Sequence, residues 1–313
     1  MSTPNIDTFT QHIVNTDVGV IQKSALEEDL EGTVAALEAF YPLSEARVDE
    51  LAAAIRHCAC ERVLCDIAPL GIVAAQRAGV RSVLIENFLW DLIYSGYVTL
   101  EPRLKTYMET LAPLFASADT RIQTEPVCVP VDADLTVPPV SRAPRQPPAV
   151  IRDQLGLPPD RPVILVTMGG LNEDTPFLQH LRDHRGFSFV LPGAVGQTQR
   201  LDGNVLMIPR HSGLYHPDLV NAADAVVGKL GYSTLAEVYH AGLPFGYILR
   251  DNFREGKALA AFVETRMRGC AISADGFKDG AWLANIEHLA SQGRSAEPRP
   301  NGADAIAAYL IAT

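Results

Sequence analysis

Apolar positions along the chain fall into short, β-branched-rich runs, separated by stretches with apolar spacing of three and four, which is the alternation of strand and helix. "VGVIQ" at 18–22 reads as a short strand, followed by two helices between Ala25 and His57. "RVLCDI" and "RSVLIE" flank "APLGIVAAQRAGV", which is long enough for a helix, and together they predict a βαβ unit. A helix over "EPRLKTYMETLAPLFASA" and a strand near "TRIQT" end this half. Pro126 to Pro148 then carries seven prolines and little helical periodicity, the composition of a stiff connector. The domain boundary is placed there, giving domains of 1–140 and 141–313. Beyond it the alternation resumes through "RPVILVTMGG", a helix from Thr175 with Pro176 in its first turn, "FSFVL", "NVLMIP", a helix after "YHPDLV", "DAVVGKLG", the helix "STLAEVYHAG" and "FGYIL". Two successive halves of this kind predict an α/β fold with two parallel-sheet domains facing a cleft, ligands sitting beyond the carboxyl ends of the strands.

Composition narrows the function classes. The 313 residues suffice for two cores, and 47% apolar with 20% charged residues is the balance of a soluble globular protein. No apolar run approaches the roughly 20 residues of a membrane span, and "MSTPNIDTFTQH" has no basic start or apolar stretch, so a cytoplasmic protein without stable membrane insertion is expected. A net charge of −11 argues against nucleic acid as a partner, since a polyanion needs a basic surface. Cys58, Cys60, Cys65, Cys128 and Cys270 read as reduced thiols; "CACERVLC" lacks a second ligand pair, and no metal site is assigned.

The chemistry concentrates where the strand "AVVGK" hands over to a helix. Gly228 and Gly231 allow a tight turn and close approach of a ligand to the backbone. The amides of Tyr232, Ser233 and Thr234 then lie at a helix N-terminus, where unsatisfied N–H groups and the helix dipole favour a phosphate, with Lys229 adding positive charge. Glu237, one turn along, can accept hydrogen bonds from a ribose diol, and phosphate plus ribose means a nucleotide. The plainer alternative has Ser233 as a cap, Glu237 as a solvated helix residue and Lys229 in an ion pair. A second turn, Gly169 and Gly170 after "VILVTM", again permits close approach, although Glu173 and Asp174 bring negative charge nearby. His211 and His216, after "VLMIP", are read as surface loop residues that border the nucleotide at most.

"VTMGGLN" and "GLYHPDLVNAADAVVGKLGYSTLAEVYHAGLPFGYILRDN" resemble the donor-binding domain of GT-B glycosyltransferases, including the UDP-glycosyltransferases. The resemblance gives Glu237 the ribose, the turn Gly231–Thr234 the diphosphate, Lys229 the family's basic or histidine position, and Asp251 with Asn252 the donor sugar. "GVIQKSALEEDLEGTVAALEAFY", "CDIAPLGIVAAQRAGVRSVLIENFLWDLIYSGY" and "GKLGYSTLAEVYHAGLPFGYILRDNF" resemble, more narrowly, the glycosyltransferase-like domain of L-arabinokinase-type proteins, which implies a link to sugar-kinase pathways. That group opens on a strand and a G-H-G-x-G-H unit whose histidine is its candidate general base. Here the first histidine, His12, sits in "FTQHIV" with no glycine loop, so the expectation is a truncated, incomplete first domain with a small sheet, and no catalytic residue is assigned.

On the first domain, "ENFLWDLIYSGY" places Glu86, Asn87, Phe88, Trp90, Asp91 and Tyr94 after a strand, a mixture of aromatic and polar groups suited to sugars; with Asp66 these are the acceptor-side candidates. The alternative makes the aromatic residues core. The leading expectation is a hexosyltransferase-like enzyme that moves a glycosyl group from a nucleotide-diphosphate sugar, by resemblance a UDP-sugar, to a small hydroxyl acceptor, with no metal or other cofactor required. A catalytically inactive sugar-nucleotide-binding or interaction module and a sugar-nucleotide epimerase of GT-B architecture stay open beside it.

Overall fold

The computed structural model describes residues 10–24, 26–168, 177–194, 198–201 and 203–313. They form two compact units: one holds the described residues up to Lys23 with Glu27–Val137 and Asn252–Arg254, the other Ser24 and Leu26 with Pro138–Asp251 and Glu255–Thr313. β1 (Gln22–Ser24) and β2 (Glu27–Glu28) make a two-stranded ribbon.

In the first unit, α1 (Leu30–Phe40) and α2 (Glu45–His57) each begin on a side-chain cap, Asp29 accepting from the Gly32 N–H and Ser44 from the Arg47 N–H. The βαβ unit follows as β3 (Arg62–Asp66), α3 (Pro69–Ala78) and β4 (Arg81–Glu86), then α4 (Trp90–Ser95), α5 (Leu104–Ala116), β5 (Thr120–Thr124) and β6 (Leu135–Val137). The sheet is parallel and four-stranded, in the order β3-β4-β5-β6, and Leu64 on its edge strand is exposed. Two expectations need correction. Residues 18–21 are not a strand: the Val18 carbonyl accepts the Tyr94 hydroxyl, while the Ile21 N–H reaches Thr33 Oγ1 (3.0 Å) and its carbonyl takes the Asp29 N–H (2.7 Å). Backbone groups satisfied this way have no need of a ladder. The proline-rich stretch is not connector throughout, because residues 135–137 pair with β5 between flanking Pro130 and Pro138, which cannot donate to a ladder.

The second unit contains α6 (Pro148–Gln154), β7 (Val163–Thr167), α7 (Leu178–Asp183), β8 (Ser188–Ala194), β9 (Gln199–Leu201), β10 (Val205–Pro209), α8 (His216–Ala222), β11 (Ala225–Lys229), α9 (Tyr232–Ala241), β12 (Phe245–Ile248), α10 (Glu255–Arg266), β13 (Gly269–Ile272), α11 (Ala274–Lys278), a 3-10 turn at Ala281–Asn285, α12 (Ile286–Ser291) and α13 (Gly302–Ala312). Its seven strands run β13-β12-β11-β7-β8-β10-β9. All but β9, a short antiparallel edge strand that the apolar pattern did not announce, are parallel. Both faces are covered. Val163 and Leu165 of β7 join one core with Val190, Leu206 and Val226, while Ile164 and Val166 join the other with Phe189, Met207 and Val227. Period-two alternation of side chains across a sheet buried on both faces makes these strands read as unbroken apolar runs.

The strand order matters for function. From β7 the chain builds outward through β8 and β10, then returns to add β11, β12 and β13 on the other side of β7. Adjacent β7 and β11 are therefore the topological switch point, where the loops leaving their carboxyl ends diverge and open sheets of this kind bind ligands.

Candidate functional site

Both glycine turns singled out in the sequence follow the two switch-point strands. Gly169 and Gly170, after β7, lie outside the described residues, as do Glu173, Asp174, Thr175 and Pro176. The turn after β11 is described in full. Gly228 is a packing glycine: a Cβ there would fall 2.1 Å from the Thr167 carbonyl oxygen of β7. Its sequence reading as a ligand-facing glycine is thereby corrected, because strand-to-strand approach alone demands it. Gly231 is different. Its φ of −150° is open to any residue, and among the described residues a Cβ would meet nothing within 4 Å.

Gly231 occupies the N-cap of α9, and among the described residues no side chain caps that helix. Ser233, expected as a possible cap, is exposed instead, and Thr234 is half-buried. An uncapped helix start leaves N–H groups and the positive end of the dipole available to an anion. Lys229 is the last residue of β11, half-buried and two residues before the cap.

Glu237 is buried in α9, its side chain 4% exposed, so it is not a solvated helix residue. Its Oε1 accepts from Arg142 at 2.7 Å, and its Oε2 lies 2.6 Å from His216 Nδ1. The other ring nitrogen of His216 stands 3.4 Å from Thr167 Oγ1, so an unbroken polar chain runs Arg142–Glu237–His216–Thr167 below the switch point. A buried carboxylate requires such partners. A carboxylate offers about four lone-pair positions, of which these contacts use two.

Arg142 escaped the sequence reading because it stands alone among prolines; only the pairing shows why a cation sits there. His216, read as a loop residue, opens α8 with Pro217 behind it, and this His-Pro step at a helix start was the available signal. His211 is exposed, as expected. Arg142 belongs to a strap fastened to α9 and α8: the Val140 N–H donates to the Tyr232 hydroxyl (2.9 Å) and His240 Nε2 bonds the Pro139 carbonyl (2.8 Å) on α9, while Asp218 Oδ1 of α8 accepts from the amides of Arg145 and Gln146. The Arg145 guanidinium lies 4.0 Å from the centre of the Tyr215 ring. Asp251 and Asn252 follow β12 and are exposed, Asp251 in the second unit and Asn252 in the first.

The acceptor-side candidates separate in the first unit. Tyr94 is fully buried, stacked at 20° on Trp90, and its hydroxyl holds the Val18 carbonyl. Trp90 donates its indole N–H to Asp17 at 2.8 Å. Both thus secure residues 17–18; Tyr94 takes the core role weighed for it, while Trp90 is half-buried. Asn87 is buried, with its carbonyl accepting the Cys128 N–H. Glu86 is buried at the end of β4, where Arg121 and Gln123 on neighbouring β5 grip it, two residues that the alternation of "TRIQT" places on one face. Asp91 stands in the first turn of α4.

Asp66 ends β3 just before Ile67, whose φ of +45° is an unusual backbone conformation for a β-branched residue. Desolvation, with the charge of Asp17 adding to it, raises the Asp66 carboxyl above its ordinary value; Asp66 is itself exposed, so solvent screens the effect. Desolvation likewise raises Asp17, opposed by its Trp90 bond. Burial pushes the Cys65 thiol up to about 12, consistent with a packing role. Among the described residues no cluster of three or more His, Cys, Asp or Glu could hold a metal ion, and no helix is long and apolar enough to cross a membrane.

No family model matches the chain. It is 28% identical over 255 residues to L-arabinokinase of Arabidopsis thaliana, a match that takes 80% of this chain and 24% of that protein, so the chain spans about a quarter of the length of this relative. Among solved structures, Arabidopsis thaliana UGT89C1 complexed with quercetin aligns with a TM-score of 0.57 at 16% identity, over 86% of this chain and 71% of that one. The glycotransferase of kitacinnamycin aligns at 0.56 and 18% identity, over 87% and 78%. Spinosyn forosaminyltransferase SpnP follows at 0.54 and 18%, over 85% and 77%. At such identities the likeness is one of fold, and it agrees with the two parallel-sheet units and the switch point: the chain has the GT-B fold, with two Rossmann-like domains, shared by these glycosyltransferases.

Proposed function

We propose that the chain binds a nucleotide-diphosphate sugar at the switch point of its second unit and transfers the glycosyl group to a hydroxyl acceptor. The observation that carries this reading is the start of α9, directly after switch-point strand β11: among the described residues no side chain caps it and none would meet a Cβ at Gly231, and Ser233 is exposed. A diphosphate placed there meets the N–H groups of Ser233 and Thr234 and the ammonium of Lys229, which together stabilise the charge that develops on the leaving group. The bond from the anomeric carbon to the diphosphate breaks with its electron pair on phosphate, the acceptor oxygen forms the new bond, and the acceptor proton passes to a base.

The ribose is assigned to Glu237, whose remaining lone pairs accept its hydroxyls while Arg142 and His216 hold the carboxylate in place. UDP is the first nucleotide to try, because UGT89C1, alike in fold, has also been solved complexed with UDP. Asp251 and Asn252 are proposed to meet the donor sugar, and the L-arabinokinase match points toward sugar metabolism. Calorimetric titration of the chain with UDP, ADP and GDP, beside Glu237→Ala, tests the reading. Saturable binding of one nucleotide, weakened in the variant by about 1–3 kcal/mol, the scale of a hydrogen bond to a charged group, is expected. Absence of binding by all three would defeat it.

A further inference from the structure

A hollow of about 330 Å³ lies in the second unit at the amino ends of its strands, the side opposite the glycine turns. Pro162 and Asp224, the residues just before β7 and β11, are in its lining, together with Asp160 and three arginines, Arg152, Arg161 and Arg294. Two of the arginines are fixed by backbone. Arg152 Nε donates to the Ala222 carbonyl (2.8 Å), and Arg294 donates to the carbonyls of Asn221 (2.6 Å) and Ala241 (2.9 Å), at the C-terminal ends of α8 and α9. Arg152 Nη2 also pairs with Asp224 Oδ2 (2.9 Å), the same oxygen that takes the Val163 N–H (2.7 Å). These bonds leave Arg152 Nη1, Arg294 Nε and Asp224 Oδ1 unspent. The Arg152 and Asp224 side chains are 27% and 38% exposed, and Arg294 is exposed, so the unspent groups stand on surfaces that a solute can reach. Arg161 is half-buried, and among the described residues its guanidinium makes no hydrogen bond or ion pair.

Helix-end capping accounts for Arg152 and Arg294 and leaves Arg161 without a use. Three arginines against two aspartates make the lining net positive on a chain whose net charge is −11. Guanidinium groups held in place by backbone bonds have already lost rotamer freedom, and their planar forks match phosphate oxygens. We infer that this hollow binds a small organic phosphate, its phosphate on Arg161 and the unspent N–H groups of Arg152 and Arg294, its hydroxyls on Asp224 Oδ1 and Asp160. The organic part follows from the lining: carboxylates accept hydroxyls and repel a second anion, and a bare phosphate ion would leave both without a donor. β11, five residues or roughly 16 Å at about 3.3 Å per residue, separates the hollow from the turn Lys229–Thr234. The site is therefore distinct from the one proposed for the nucleotide, and the inference stands without that reading.

The test follows backbone amide resonances of the full chain during titration with glucose 6-phosphate, inorganic phosphate and glucose. Glucose 6-phosphate shifts the amides of Arg161, Gly293 and Arg294 saturably, inorganic phosphate does so about tenfold more weakly, and glucose leaves them unmoved. Arg161→Gln, at a side chain that bonds to none of the described residues, weakens glucose 6-phosphate about tenfold. Saturating UDP leaves the titration unchanged, and failure of UDP to bind at all would defeat the nucleotide reading alone. No saturable shift at these three amides, equal binding of inorganic phosphate, displacement by UDP, or undiminished affinity in Arg161→Gln would each overturn the inference.

Discussion

At the scale of the residue, the two glycines of one turn have opposite reasons to exist. Gly228→Ala forces a Cβ against the Thr167 carbonyl across the sheet and is expected to cost about 1–3 kcal/mol, the range for overpacking a core, as read by urea unfolding. Gly231→Ala has room and an ordinary backbone, so stability stays within about 0.5 kcal/mol while UDP affinity falls, because the new methyl stands where the ligand approaches. Asp66 gives a pH signature. Its carboxyl is raised in the folded state, so the folded chain holds the proton more tightly than the unfolded chain. Stability from this group is therefore fully present below the ordinary carboxylate range and is lost as pH rises through the raised value. Asp66→Asn should stabilise the chain at pH 7 by about 0.5 kcal/mol, a figure reduced for solvent screening, and the gain should vanish in thermal melts near pH 3.

At the scale of the element, α9 is held from outside as much as by its own turns. Tyr232, His240 and Glu237 are its fastening points for the strap 139–142. Tyr232→Phe removes the acceptor of the Val140 N–H and is expected to cost about 1 kcal/mol, with faster hydrogen exchange confined to residues near 140. Elements of this kind show how far the sequence can be read. β7, β8, β10, β11 and β12 were legible because a strand buried on both faces is an unbroken apolar run, and α9 because two glycines bracket it. β6 and β9 were not, being three residues each at the end of a sheet, too short for any period to register. The turn Lys229–Thr234 could be located by its residue types. The pairing of Glu237 with Arg142 and His216 could not, since partners 95 and 21 residues away are brought in by the fold and leave no local pattern. Trp90 and Tyr94 went the same way: their aromatic character suggests a sugar wall equally with a core, and only the structure shows Tyr94 fully buried on the Val18 carbonyl and Trp90 half-buried on Asp17.

At the scale of the whole molecule, the division into two units predicts an uneven response to ligand. UDP at a hundred times its Kd adds about 2.7 kcal/mol to whatever unfolds together with its site. In differential scanning calorimetry the second unit's transition should shift upward with UDP concentration and the first unit's should stay. The central claim, that the start of α9 at the switch point receives a diphosphate, is tested most directly by following backbone amide resonances of the chain during titration with UDP and with uridine. The account predicts that UDP gives its largest shifts at Ser233 and Thr234, with Lys229 following, and that uridine, lacking phosphate, leaves these amides nearly unmoved. UDP shifts that fall elsewhere and spare residues 229–234, or shifts there that uridine reproduces in full, would contradict it.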